Sequence, residues 1–227
     1  MTGLPNQPGS LVLSDVNIGL PGRMLIAALS ATVLPGEILT VMGASGSGKS
    51  TLLAHISGFL GAPFSATGEL VLNGRRLNTL PPHERRVGIL FQDDLLFPHL
   101  SVAGNLMFGL PSSVSGRKRR LQAVELALAD ADLAGFATRD PATLSGGQRA
   151  RVALLRTLLS QPQALLLDEP FSKLDAALRD DFRRFVFGFA RHAQLPTVLV
   201  THDAADAAAT GGRIVSLDLG SPAPSTG

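Results

Sequence analysis

The sequence predicts an α/β fold with a mixed sheet, parallel where strands alternate with helices, a β-rich N-terminal part and an inserted helical subdomain, and three observations carry that expectation. Over the second half of the chain, short apolar runs alternate with segments of helical spacing. That is the pattern of strands joined by helices that cover both faces of a sheet. Earlier, a glycine-rich turn, GASGSGKS, links an apolar run to a helix-like segment. Before it, aliphatic runs are divided by Pro-Gly pairs, which read as turns between strands.

In chain order, residues 11–18, 24–33 and 37–41 are expected strands, separated by LPGR and LPGE. Residues 48–59 have helical spacing; GELVLNGRRLNTL supplies a strand and a turn, and RVGILFQ a short strand. The character changes at residue 93. SVAGNLMFGL and residues 119–135 read as helices joined by PSSVSG. In the second of them Leu121, Val124, Leu128 and Ala131 fall three or four apart, on one helical face. Residues 93–142 are therefore expected to be a helical insertion, flanked by residues 10–92 and 143–219 of the α/β core. The core resumes with a helix over 147–159, the strand ALLLD, a helix over 176–192, and the strands TVLVTHD and RIVSL. The tail, residues 220–227 (SPAPSTG with its preceding glycine), is expected to be disordered, because Pro, Ser and Gly bring little apolar surface to bury.

The 227 residues are 45% hydrophobic and 17% charged, a globular composition long enough for a substantial core. A net charge of +2 gives no electrostatic footprint for nucleic acid, and no nucleic-acid partner is expected. The absence of cysteine excludes a disulfide framework, a thiolate metal site and a cysteine nucleophile. The opening residues lack a basic region followed by an apolar run, and the longest apolar stretches are far short of a membrane span. Any membrane role is expected to come through a partner.

GASGSGKS fits G-x-x-x-x-G-K-[ST], a phosphate-binding loop comprising Gly43, Ala44, Ser45, Gly46, Ser47, Gly48, Lys49 and Ser50, followed by Thr51. Its glycines let the backbone wrap phosphates and aim amides at them from a helix N-terminus. Lys49 is expected at the outer phosphates and the Ser50 hydroxyl on Mg2+. ALLLDEP puts Asp168 and Glu169 at the carboxyl end of an apolar strand, where ligands bind in open α/β sheets. Alternation along a strand would point the two carboxylates to opposite faces, one toward Mg2+ and the other toward an attacking water. Gln92 can offer an amide oxygen to metal or water, or be a plain surface glutamine. His202 closes another apolar strand, and Asp175 is either functional or the N-cap of the next helix. A second cluster, Ser145, Gly146, Gly147 and Gln148, heads another helix and reads as a second anion site.

In this order, GASGSGKST, Gln92 in LFQDDLLFPHLSV, LSGGQRAR, LLLDEP, SKLD and THD resemble the ATP-binding subunit of an ABC transporter, over nearly the whole chain. LSGGQ discriminates it from other P-loop NTPases. The resemblance implies ATP and Mg2+ as ligands. Residues 43–51 hold the phosphates, and Ser50, Gln92 and Asp168 the metal. Glu169 is the general base, His202 contacts the γ-phosphate, and Asp175 acts across a dimer. It further implies an ATP-induced homodimer in which Ser145–Gln148 complete the pocket of the partner. Membrane permease subunits would dock near Gln92 and the helical insertion, fed by a solute-binding protein, with the chain peripheral on the cytoplasmic face. Leu95, Leu96, Phe97 and Phe108 are either that docking surface or core of the insertion.

ILFQDDLLFPHLSVAGNL together with DEPFSKLDAALR is similar to the bacterial importer ATPases handling thiamine, ferric iron, molybdate, sulfate and polyamines. Import is thus expected, an exporter-associated ATPase being the nearest alternative and a non-transport ABC ATPase a further one. Two departures stand out. Many such relatives carry a C-terminal β-rich regulatory domain, and this one is expected to lack it and its feedback control. The family also stacks an aromatic ring on adenine from a loop near residue 20, whereas this protein has no Tyr or Trp. Leu20, Met24 or Ile26 is expected to cover the base, at a cost of about 1 kcal/mol in ATP affinity and with laxer base selectivity. Titrations showing ATP bound far more tightly than GTP, with Leu20→Tyr neutral, would sink that expectation.

Overall fold

The computed structural model describes residues 9–217. The expected disordered tail and the first eight residues lie outside that range. The elements are β1 (Leu11–Leu20), β2 (Arg23–Val33), β3 (Ile38–Gly43), α1 (Lys49–Ser57), β4 (Ser65–Leu72), β5 (Arg75–Arg76), β6 (Val87–Leu90), α2 (Val102–Gly109) and α3 (Arg117–Asp130). They continue with α4 (Gly146–Leu159), β7 (Ala164–Asp168), α5 (Ala176–His192), β8 (Thr197–Thr201), α6 (Ala204–Thr210) and β9 (Ile214–Leu217). The described residues divide into two compact units: 9–87, 163–169 and 189–217 form one, 88–162 and 170–188 the other.

The first unit contains an antiparallel sheet in the order β2-β1-β4-β5 and a parallel array in which β7, β8, β3 and β9 are neighbours in that order. In β1 the alternation of buried Leu11 and Leu13 with less buried neighbours shifts phase at Asp15, where a bulge lets Val16 and Ile18 also face inward. Asp15 there takes a φ of 48°, and a Cβ on the facing Gly68 (φ 94°) would stand 2.4 Å from the Asp15 carbonyl oxygen, so only glycine fits. β3, by contrast, is buried from Ile38 to Val41 without alternation, as expected of a central parallel strand. Its register sets Met42 opposite Thr201 on one side and Ser216 on the other.

The second unit packs α2, α3 and α4 around Val102, Leu106, Val124, Leu128, Val152 and Leu155. Val124, Leu128 and Ala131 lie on the buried face as their spacing requires, but Leu121 is 40% exposed. It sits a turn nearer the start of α3 and is no part of the buried cluster. At the end of α2, a Cβ on Gly109 would come 2.1 Å from the carbonyl oxygen of Arg156, so glycine permits the close approach of α2 to α4.

The short helix α6 has no apolar periodicity to announce it. What makes it is its ends: the Asp203 side chain accepts from the amides of Ala205 and Asp206, and Gly211 closes it in the left-handed region.

Candidate functional site

In the first unit the phosphate loop leaves β3 at Gly43 and enters α1 at Lys49. Gly46 and Gly48 have φ of 81° and 95°, a backbone that glycine adopts at no steric cost, and the Ser47 amide bonds the Ala44 carbonyl at 3.2 Å inside the turn. A Cβ at Gly46 would meet nothing within 4 Å, whereas one at Gly48 would press on Leu25 at 3.2 Å and Ile26 at 3.4 Å. The loop is thus open outward and tight underneath. No side chain caps α1, which leaves its first amides and the positive end of its dipole for an anion. The Ser47 hydroxyl is buried without a hydrogen-bond partner in the structure.

Lys49, only 5% exposed, donates its ammonium to the carbonyls of Gly43 (2.9 Å) and Ala44 (3.0 Å), and lies 3.6 Å from Glu169 Oε1. Ser50 Oγ donates to Asp168 Oδ1 at 2.9 Å. Burial raises the Asp168 carboxyl above its ordinary pKa; the neighbouring Glu169 charge adds to this, while the Ser50 hydrogen bond and Lys49 oppose it. Glu169 Oε2 stands 3.1 Å from His202 Nδ1. The sequence-based placement of Asp168 and Glu169 on opposite faces is corrected here. β7 ends at Asp168, and Glu169 turns into the left-handed region (φ 45°) with its amide bound to the Val200 carbonyl, so both carboxylates reach the same group of side chains. Such strain at a non-glycine residue costs on the order of 1 kcal/mol and clusters at functional sites.

The phosphate loop, Lys49, Ser50, Asp168, Glu169 and His202 are therefore brought together. Thr51, in the first turn of α1, is half-buried. The donor set fits a nucleoside triphosphate with Mg2+: an open amide-lined turn beside a buried ammonium for the phosphates, and two hard oxygens, from Ser50 and Asp168, for a cation that keeps waters and shares phosphate oxygens. Among the described residues no group of three or more His, Asp or Glu could hold a metal ion. A shallow pocket in the same unit is lined by Asn17, Leu20, Arg23, Met24 and Thr67. Leu20 and Met24 are among its lining residues, whereas Ile26 is buried and packs against Gly48.

Gln92, Asp175 and residues 145–148 belong to the second unit. Exposed Gln92 lines a cavity with Asp93, Asp94, Arg149, Lys173 and Leu174, where Arg149 pairs with Asp94 at 3.0 Å and Lys173 pairs with Asp93. Ser145 caps α4 in a capping box: Ser145 Oγ accepts the Gln148 amide, and Gln148 Oε1 accepts the Ser145 amide. Both side chains are occupied in holding the helix start, and the groups left for an anion are backbone amides. A Cβ on Gly147 would come 3.3 Å from Leu178. Asp175 Oδ1 accepts the Leu178 amide at 3.0 Å, an N-cap. Of the apolar candidates, Leu95 is 55% and Phe108 71% exposed, Phe97 meets Phe108 edge-on at 4.9 Å, and Leu96 packs against the buried cluster.

A strand running into a glycine-rich phosphate loop and helix, with Ser50 and a strand-end aspartate paired beneath it, defines a P-loop NTPase. Comparison with known proteins takes this further. Residues 26–172 match the family model described as ABC transporter, and the chain belongs to that family, the ATP-binding subunits whose ATP hydrolysis is coupled to transport. It is 54% identical over 196 residues to the ABC transporter ATP-binding protein YnjD of Escherichia coli K12, covering 86% of this chain and 90% of that one. It is 38% identical over 198 residues to the spermidine/putrescine import ATP-binding protein PotA of Bacillus cereus, and 39% identical over 211 residues to the maltose/maltodextrin import ATP-binding protein MalK of Yersinia pestis. These matches cover 87% and 93% of this chain but only 60% and 56% of the two import proteins. Among the described residues no helix is long and apolar enough to cross a membrane.

Proposed function

We propose that the chain hydrolyses ATP to drive solute import through separate membrane subunits, working as a homodimer on the cytoplasmic face of the membrane. The observation that carries this is the convergence of Lys49, the Ser50–Asp168 pair and the Glu169–His202 pair around an open phosphate loop. The import direction draws on the likeness to PotA and MalK.

In this reading the loop amides and Lys49 hold the β- and γ-phosphates. Ser50 and Asp168 hold Mg2+, which, when bound, offsets the charge of the transferring group. Glu169 orients water and takes its proton, and His202, tethered to Glu169, stabilises the γ-phosphate as charge moves onto it. The α4 amides of Gly146 and Gly147, with Ser145 as cap, close over the nucleotide held by the partner subunit, and Asp175 fixes the helix that follows across that contact. Exposed Leu95 and Phe108, in the segment that begins at Gln92, receive the permease. A solute-binding protein supplies it, and nucleic acid has no part.

Sizing of Glu169→Gln protein with and without Mg-ATP, beside Ser145→Arg in the same background, tests this. A dimer that needs ATP and is lost with Ser145→Arg is expected. A monomer under conditions where bound ATP is measured directly would refute the shared site. The membrane protein that co-purifies distinguishes import from export.

A further inference from the structure

We propose that Asp206 is a positioning residue for His202, acting through the side chain of Thr201. The inference rests on the reading of His202 as a γ-phosphate contact.

The imidazole of His202 is 61% exposed, so packing cannot hold it. Besides the Glu169 carboxylate 3.1 Å from its Nδ1, what places it is the backbone. The residues flanking it are tied to each other by one buried hydroxyl. Thr201 Oγ1 donates its single proton to Asp206 Oδ2 at 3.1 Å and accepts the Asp203 amide at 3.0 Å. Thr201 and Asp206 are 1% and 2% exposed. Asp203 is fixed in turn by the α6 amides that its own carboxylate accepts. The chain from 201 to 206 is therefore a closed hydrogen-bonded loop with His202 at its outer edge.

That loop is anchored to the phosphate site on two sides. Thr201 pairs in register with Met42, the residue before Gly43, where the phosphate loop begins. The carbonyl of Val200 accepts the amide of Glu169. The same strand end thus sets the height of His202, of Glu169 and of the loop base. Because Asp206 accepts here, it fixes the direction of the Thr201 hydroxyl and leaves its lone pairs for the Asp203 amide. Without that constraint the backbone around His202 loosens. A displacement well under 1 Å at a group acting on the transition state lowers turnover more than it lowers substrate binding.

The test is steady-state ATP hydrolysis by the full chain in Thr201→Val, Thr201→Ser, Asp206→Ala, His202→Ala and the double variant His202→Ala/Asp206→Ala. Thr201→Val and Asp206→Ala are each expected to lower kcat about 10-fold with the KM for ATP within about twofold, and Thr201→Ser to restore kcat. In the His202→Ala background, Asp206→Ala should cost nothing further, since a residue acting only through His202 has nothing left to position. An additive loss in the double variant, or wild-type kcat in Thr201→Val, overturns the proposal. Should Asp206→Ala fail to fold, near-isosteric Thr201→Val carries the test against Thr201→Ser. If His202→Ala itself retains full kcat, the reading of His202 falls and this inference with it. If His202→Ala is impaired but Thr201→Val is not, only the inference falls.

Discussion

Glu169→Gln is expected to lower ATP turnover by about 10²–10⁴-fold while leaving ATP bound. The amide keeps the shape of the side chain, so the left-handed turn at residue 169 and the amide bond to Val200 should survive. What goes is the charge and the basic lone pair. Lys49 loses its neighbour at 3.6 Å, and His202 Nδ1 loses a carboxylate at 3.1 Å. Lys49 keeps the Gly43 and Ala44 carbonyls and no longer shares its charge with a carboxylate, so ground-state affinity for the phosphates should hold or rise as turnover falls. A drop in kcat with an unchanged or lower Kd is the signature of a group that acts in the transition state. Single-turnover hydrolysis beside equilibrium nucleotide binding measures the two separately. Hydrolysis at the wild-type rate would remove Glu169 from the base role. A parallel loss of binding would recast it as a residue that merely holds Lys49.

The phosphate loop was legible because its residue types are forced by local geometry. Positive φ demands glycine at 46 and 48, and a strand and a helix must flank them. The central strands were legible for a similar reason, since β3 and β7 are short apolar runs bounded by turn residues, too short for helices. The placement of Glu169 was not, because alternation holds only inside a strand and β7 stops one residue earlier. Nor was α6, whose run of alanines carries no periodicity, although Asp203 and Gly211 marked its ends. The pairing of Thr201 with Asp206 needs a strand end and the following helix to fold back on each other. In sequence it is only a threonine and an aspartate five residues apart. Leu121 shows a further limit. Helical spacing names a face, and how far along that face the neighbours extend is decided by tertiary packing.

Asn105→Leu, which keeps the side-chain branching but replaces the carboxamide O and NH2 with two bulkier methyls, is expected to destabilise the fold by roughly 2–4 kcal/mol, although the position lies in an apolar helix and leucine suits both helix and core. Asn105 is fully buried in α2. Its Oδ1 accepts the Phe97 amide at 2.7 Å, and its Nδ2 faces the carbonyls of Phe97, Leu100 and Ser101 at 3.1–3.3 Å. One side chain therefore serves as the missing hydrogen-bond ladder for a loop that belongs to no sheet. Leucine would take this partner from the Phe97 amide and the Leu100 carbonyl, while the carbonyls of Phe97 and Ser101 keep the amides of Leu100 and Asn105, and each orphan costs about 1–3 kcal/mol unless the loop moves out to solvent. Such movement would carry Phe97 away from Phe108 and disturb the exposed apolar surface around them. Urea unfolding should show a lower midpoint with an unchanged slope if the loop stays in place, and a reduced slope if it detaches in the native state. A midpoint equal to that of the wild type would mean that burial of the leucine outweighs these bonds, and that packing of α2 against α4 alone fixes the loop.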